Sequence, residues 1–151
     1  MNSLQRLHEH GQSFWLDNLT RDMLHDGDLA RRVAEQGLRG VTSNPSIFHK
    51  AISEGEEYDA DIARFATEGL SVEEIYERLT VDDVRAACDV LRPVYDDSEG
   101  RDGFVSLEVS PHLANDTEGT IEEAARLWEA VGRPNALIKI PGTPAGVPAI
   151  G

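Results

Sequence analysis

Lysine is scarce in this 151-residue chain: of its 14 Lys+Arg residues, only Lys50 and Lys139 are lysines. Lys139 stands in Ala136-Leu137-Ile138-Lys139-Ile140, an otherwise apolar run. Lysine is almost never fully buried unless it is paired. Held in apolar surroundings, it loses ammonium hydration, and a neutral, nucleophilic amine becomes accessible near neutral pH. Such an amine attacks carbonyl carbon and forms an imine that serves as an electron sink. The competing reading is a strand-end lysine with a packed stem and a head in water.

Glu108 is the second candidate. Phe104-Val105-Ser106-Leu107-Glu108-Val109 alternates, which places Phe104, Ser106 and Glu108 on one face of a strand. In a parallel sheet covered on both faces, a carboxylate there is either structurally paired or kept for proton transfer. Asp17 shares the Trp15 face at the end of an earlier aromatic run, Ser13 to Leu16; it is equally well placed to cap a following helix. Asn44 ends Val41-Thr42-Ser43-Asn44-Pro45-Ser46, where Asn before Pro is ordinary turn chemistry and a polar group aimed at a bound hydroxyl is the functional alternative.

The elements that must carry these residues follow from periodicity. Short apolar runs at 13–16, 38–43, 104–109 and 136–140 read as strands, separated by amphipathic helical segments. A helix over 20–36 uses Leu24, Leu29, Val33 and Ala34, is weakened or broken at Gly27 and is closed by Gly37. The stretch 47–94 is mostly helical, with capping-box patterns at Ser71/Glu74 and Thr80/Asp83 and a stripe of Ile75, Leu79, Val84, Cys88 and Leu91. Residues 96–103 form a polar turn. A further helix over 117–131 is capped by Asp116 or Thr117 and turns Ile121, Ala125 and Trp128 to the core. Residues 142–151 read as a loop entering a helix. Strand–helix alternation of this kind predicts parallel strands under helices. Asp17, Asn44, Glu108 and Lys139 then fall at the C-terminal ends of four different strands, the edge on which parallel α/β barrels build their active sites.

Composition narrows the function classes. The chain has 40% hydrophobic and 28% charged residues and a formal net charge of −14, a globular composition with no basic footprint for nucleic acid or anionic lipid. The single Cys88 forms no internal disulfide and fits a reducing compartment; the opening residues lack a signal-peptide core, and no run approaches the ~18 apolar residues of a membrane span. A cytoplasmic location is expected, without nucleic-acid or membrane partners. There is no phosphate-cradling glycine loop. His112 and Asp116 lie four apart near Glu108 but lack a second suitably placed histidine, so no metal site is expected. His8 and His10 read as solvated, and Trp15 and Trp128 as core residues.

Gly40 to Phe48 (GVTSNPSIF) resembles the transaldolase signature near the second strand. Ala136 to Gly146 (ALIKIPGTPAG) is similar to that family's imine-forming lysine strand, Phe104 to Thr117 (FVSLEVSPHLANDT) to its catalytic-glutamate segment, and Phe14 to Asn18 (FWLDN) to its catalytic-aspartate position. The Trp-Leu-Asp wording and the long helical insert resemble the longer bacterial and plant branch. The resemblance implies a cofactor-free (β/α)8 barrel enzyme of the pentose phosphate pathway. It would transfer a dihydroxyacetone unit from sedoheptulose 7-phosphate to glyceraldehyde 3-phosphate, with Lys139, Glu108 and Asp17 catalytic and Asn44, Thr42 and Ser43 on the substrate.

Such a barrel takes about 250 residues, whereas only four strand–helix units are legible. The expected architecture is therefore the first four units of a TIM barrel, incomplete, in which residues 1–151 form the N-terminal half of the domain. No positions match the family's later phosphate-binding arginines, so this half alone is expected to be inactive. Two alternatives stand beside transfer. One is a non-catalytic half-barrel that assembles with itself or a partner through its open edge. The other is a fructose-6-phosphate aldolase-type lyase using the same lysine.

Overall fold

The four apolar runs become four parallel strands: β1 (Trp15–Asp17), β2 (Gly40–Thr42), β3 (Phe104–Glu108) and β4 (Ala136–Lys139). They are seen in a computed structural model that describes residues 2–150. The strands pair in sequence order, β1-β2-β3-β4. Each step to the next parallel neighbour crosses over through helices, as in the wall of a (β/α) barrel. The register sets Trp15 beside Gly40 and Asp17 beside Thr42; Gly40 beside Phe104; and Ser106 beside Leu137 and Glu108 beside Lys139. Each strand is a residue or more shorter than its apolar run. Ser13 lies before β1, where its hydroxyl donates to Asp102 at 2.7 Å, and Asp17 is inside the strand rather than after it.

The segment expected as one helix over 20–36 is broken at Gly27, whose φ of 78° is open to glycine at little cost. The result is α2 (Arg21–His25), α3 (Asp28–Arg31) and a widened π-type turn (Arg32–Gln36) ending at Gly37. A short polar α1 (Ser3–Glu9) precedes them and buries nothing; His8 and His10 are exposed on it and at its end. The long middle stretch divides into α4 (Pro45–Glu54), α5 (Asp59–Thr67) and the 26-residue α6 (Val72–Asp97). The Ser71/Glu74 capping box opens α6, but the Thr80/Asp83 pattern caps nothing: both residues are buried within α6. Asp83 instead accepts from the Arg21 Nε at 2.8 Å and the Tyr58 hydroxyl at 2.7 Å, locking α2 and the turn before α5 onto α6. After β3 comes α7 (Thr117–Val131), capped by Asp116. The Thr117 hydroxyl donates to the Ala145 carbonyl at 2.6 Å and ties the segment after β4 to α7. That segment ends in one 3-10 turn, Val147–Ala149, rather than a helix; Gly151, the last residue of the expected loop, lies outside the described residues.

Val41, Val105, Leu107, Val109 and Ala136 form the covered face of the sheet, against Val84, Ala87, Cys88 and Leu91 of α6 and Leu127 and Val131 of α7. Burial of each large side chain stabilises by about 1.5–3 kcal/mol. Tyr58, Phe65 and Leu79 form a second cluster that seats α5 on α6. The inward face of α7 is not the expected one. Ile121, Ala125 and Trp128 point to solvent, Trp128 at 51% exposure, while Thr120, Ala124, Leu127 and Val131 face the sheet. The stripes are adjacent on the helix. The inner one contains a threonine whose hydroxyl donates to the Asp116 carbonyl at 2.6 Å, which lets a polar residue sit inside.

The other face of the sheet carries Trp15 on β1, half-buried with its ring over Gly40. A Cβ at position 40 would lie 2.3 Å from a ring carbon of Trp15. Gly40→Ala is therefore expected to displace the ring and cost about 1–3 kcal/mol in a urea unfolding curve; an unchanged midpoint would show that the ring moves freely.

Candidate active site

Each strand end delivers its residue by the alternation of the pleat. Asp17 and Thr42 are register partners, and so are Glu108 and Lys139; Ser106 sits two residues before Glu108 on the same face. The Ser106 hydroxyl donates to the Thr42 hydroxyl at 3.0 Å, which joins β3 to β2 beyond the last residue pair of their ladder. Asp17, Thr42, Glu108 and Lys139 thus share one face at the C-terminal edge of the sheet.

The Lys139 Nζ lies 3.0 Å from the Glu108 Oε2 and donates to the Ser43 carbonyl at 2.9 Å. Its side chain is 39% exposed and that of Glu108 25%. Apolar enclosure, the environment expected from the flanking residues, is absent: the chain neighbours Ile138 and Ile140 do not surround the amine, because alternation turns it to the carboxylate side of the sheet. What the geometry offers is an amine with one hydrogen-bond acceptor, the Ser43 carbonyl, and an ion-pair partner in Glu108, a carboxylate able to exchange protons with it or with a ligand oxygen.

The capping alternative for Asp17 does not hold. Thr20 caps α2, its hydroxyl accepting from the Met23 N–H, and Asp17 is exposed at the end of β1. For Asn44 the local role is real: its Oδ1 accepts from the Ile47 N–H at 3.0 Å and caps α4. That bond orients the side chain and leaves the amide NH2 as a donor. Ser43 is fully buried, and its hydroxyl donates to the Ser106 carbonyl at 2.7 Å, so its side chain is engaged inside the sheet.

Tyr76 of α6 was not visible as a site neighbour in the sequence, since nothing in its spacing links it to a strand 32 residues later. Burial, together with the charge of Glu108, pushes its phenol above the usual tyrosine range. Beside both lies a cleft of about 800 Å3, bordered by Leu107, Glu108, His112 and Leu127 as well. Ser106 did have a signal, its shared face with Glu108. Lys50, the other lysine, is exposed on α4.

Among the described residues, no three His, Cys, Asp or Glu side chains are grouped so as to hold a metal. His112 is exposed in a 3-10 turn, and Asp116 is occupied by its cap, accepting from the Gly119 N–H at 3.0 Å. Cys88 is buried in the core, its thiol pushed up to about 12 chiefly by burial, and is inert there. No helix among the described residues is long and apolar enough to cross a membrane.

The profile of the family described as Transaldolase/Fructose-6-phosphate aldolase matches residues 14–151. The chain belongs to that family. It is 54% identical over 149 residues to the "Transaldolase" of Thiobacillus denitrificans, with 99% of this chain and 42% of that protein covered. It is 52% identical to "Transaldolase 2" of Nostoc punctiforme, covering 99% and 39%, and 53% identical to the "Transaldolase" of Mycobacterium tuberculosis, covering 98% and 40%. The chain spans about two fifths of the length of these curated relatives.

Because the Glu108–Lys139 pair is open to water, it contributes little to folding. Glu108→Gln is expected to change unfolding free energy by less than about 1 kcal/mol in urea titration. A loss of several kcal/mol would instead mark the pair as a structural one.

Proposed function

We propose that this chain carries the imine-forming and proton-transfer residues of a transaldolase, a transferase moving a dihydroxyacetone unit from sedoheptulose 7-phosphate to glyceraldehyde 3-phosphate. Erythrose 4-phosphate and fructose 6-phosphate are the products. The reading rests above all on Lys139 Nζ standing 3.0 Å from Glu108 on adjacent strand ends of a chain in this family.

The neutral Lys139 amine adds to the ketose carbonyl, giving a carbinolamine after proton transfer from nitrogen to oxygen. Glu108 in its acid form, directly or through a water, protonates the carbinolamine hydroxyl. Water leaves, the nitrogen lone pair closes the C=N bond, and Glu108 is left as carboxylate. Asp17 takes the proton of the C4 hydroxyl as the C3–C4 bond breaks, and the bonding electrons pass into an enamine on Lys139. The acceptor aldehyde then reacts in the reverse sense. The Thr42 hydroxyl and the Asn44 amide, whose Oδ1 is fixed by its cap, are suited to hold the dihydroxyacetone hydroxyls. The chemistry requires no cofactor or metal. We assign the protein to the cytoplasm, in a first half-barrel domain over 1–151, and propose that full transfer needs residues beyond the two fifths of the relatives' length spanned here.

A second reading, assembly through the open sheet, is favoured by Leu137, which stands 42% exposed on the site face beside Ser106. Sedimentation of the 151-residue chain tests it: a concentration-dependent dimer supports it, and a monomer removes it.

Borohydride reduction with fructose 6-phosphate is expected to add one dihydroxyacetone unit to Lys139 of a version extended to the relatives' length, by intact mass and peptide mapping, and little or none to this chain alone. No adduct on the extended chain would overturn the proposal. In the extended chain, release of product should depend on an acceptor aldehyde; acceptor-independent cleavage would identify a lyase instead.

A further inference from the structure

We infer that Ser43 is the positioning residue of Lys139. It acts through its main-chain carbonyl, which holds one N–H of the amine and keeps the single N–H of the imine while Glu108 moves protons. This inference rests on the imine reading above.

The β2–β3 ladder pairs Gly40 with Phe104 and Val41 with Val105, and β2 itself ends at Thr42. Past that point, side-chain bonds replace the ladder. The Ser43 hydroxyl reaches across to the Ser106 carbonyl at 2.7 Å, buried from water. On its other side, Asn44 begins the cap of α4. The Ser43–Asn44 peptide is therefore clamped between a strand and a helix start, and its carbonyl points at the Lys139 Nζ, 2.9 Å away and two strands over. The hydroxyl of Ser43 does not meet a ligand; it aims the carbonyl.

Tetrahedral nitrogen makes this consequential. With one N–H held on the Ser43 carbonyl and the Glu108 carboxylate 3.0 Å away as an ion-pair partner, the amine keeps its remaining positions for the lone pair and for proton exchange. When the carbinolamine loses water, nitrogen keeps one hydrogen and gains positive charge. A carbonyl acceptor already in place stabilises that N–H as a charge-assisted bond. Glu108 is then released from Lys139 and can serve the leaving hydroxyl.

The first measurement needs no substrate. With lysine labelled by 13C and 15N, the chain gives two side-chain ammonium signals, and Lys50 serves as an exposed internal reference. Exchange of the Lys139 ammonium protons with water is expected to be several-fold slower than that of Lys50, and Ser43→Ala should bring the two rates together. Ser106→Ala, which removes a hydroxyl from the same joint but not the Ser43 clamp, should leave the Lys139 rate as it is. The second measurement is the rate of borohydride trapping with fructose 6-phosphate in the chain extended to the relatives' length. Ser43→Ala is expected to slow it about tenfold, the scale of one hydrogen bond to a charged group, with the half-saturating sugar concentration unchanged. Should Ser43→Ala not fold, an amide-to-ester exchange of the Ser43–Asn44 bond weakens the same carbonyl, keeps every side chain and is read in the same way. Wild-type trapping with an unaffected variant overturns the role of Ser43 and leaves the imine reading standing. Absence of trapping in the wild-type extended chain overturns both.

Discussion

Everything at the candidate site depends on the parallel register that sets Glu108 beside Lys139. Because side chains alternate across a strand, a slip of one residue between β3 and β4 would leave one of them on the site face and send the other into the helices. The register is held by the covered face. Val105, Leu107, Val109 and Ala136 are all 5% exposed or less, and a slip would put beneath α6 and α7 either Ser106 and Glu108 in place of the β3 residues or Lys139 of β4. The core thus specifies the chemistry indirectly, by making the alternative register carry unpaired charge indoors.

The C-terminal edge is also where the backbone ladder runs out, and polar side chains take over its function there. Ser43 to Ser106, Ser106 to Thr42 and Lys139 to Ser43 form a short chain of hydrogen bonds linking β2, β3 and β4 past the end of the β2–β3 ladder. Residues that look like ligand donors in a one-dimensional reading are divided by this edge into two groups. Thr42, Asp17, Glu108 and Lys139 face the open side, whereas Ser43 spends its hydroxyl on the sheet. Asn44 does both, capping α4 with its oxygen and keeping its amide hydrogens.

A different kind of polar link supports the helices. Arg21 and Asp83 are nearly buried and satisfied together with Tyr58, so the first helix after Asp17 is fastened to the long α6. The guanidinium also stacks over the Tyr58 ring at 4.3 Å. The two charges are 62 residues apart in sequence. Their value lies less in net stability than in the penalty for separating them, since either charge alone would be left buried without a partner.

The order of strands and helices, the break at Gly27, the capping box at Ser71 and the face shared by Ser106 and Glu108 were all legible in the sequence. These are local matters, governed by periodicity, backbone freedom and contacts within a few residues. The motif resemblance placed the chain in its family on the same footing, through short contiguous segments. What sequence order does not contain is which polar group meets which across the sheet. The apolar neighbours of Lys139 suggested an enclosed amine, yet it is a half-exposed one held by Glu108 and Ser43 from two other positions along the chain. The stripe of α7 suggested Trp128 inside, yet Thr120 occupies the interior because its hydroxyl finds a carbonyl within its own helix. Ser43 suggested a ligand contact, and the fold made it a clamp. For Thr120 the partner is local, and only packing chose which of two adjacent stripes turned inward; for Lys139 and Ser43, tertiary structure decided the outcome, because their environment is set by long-range partners that the residues beside them in sequence do not supply.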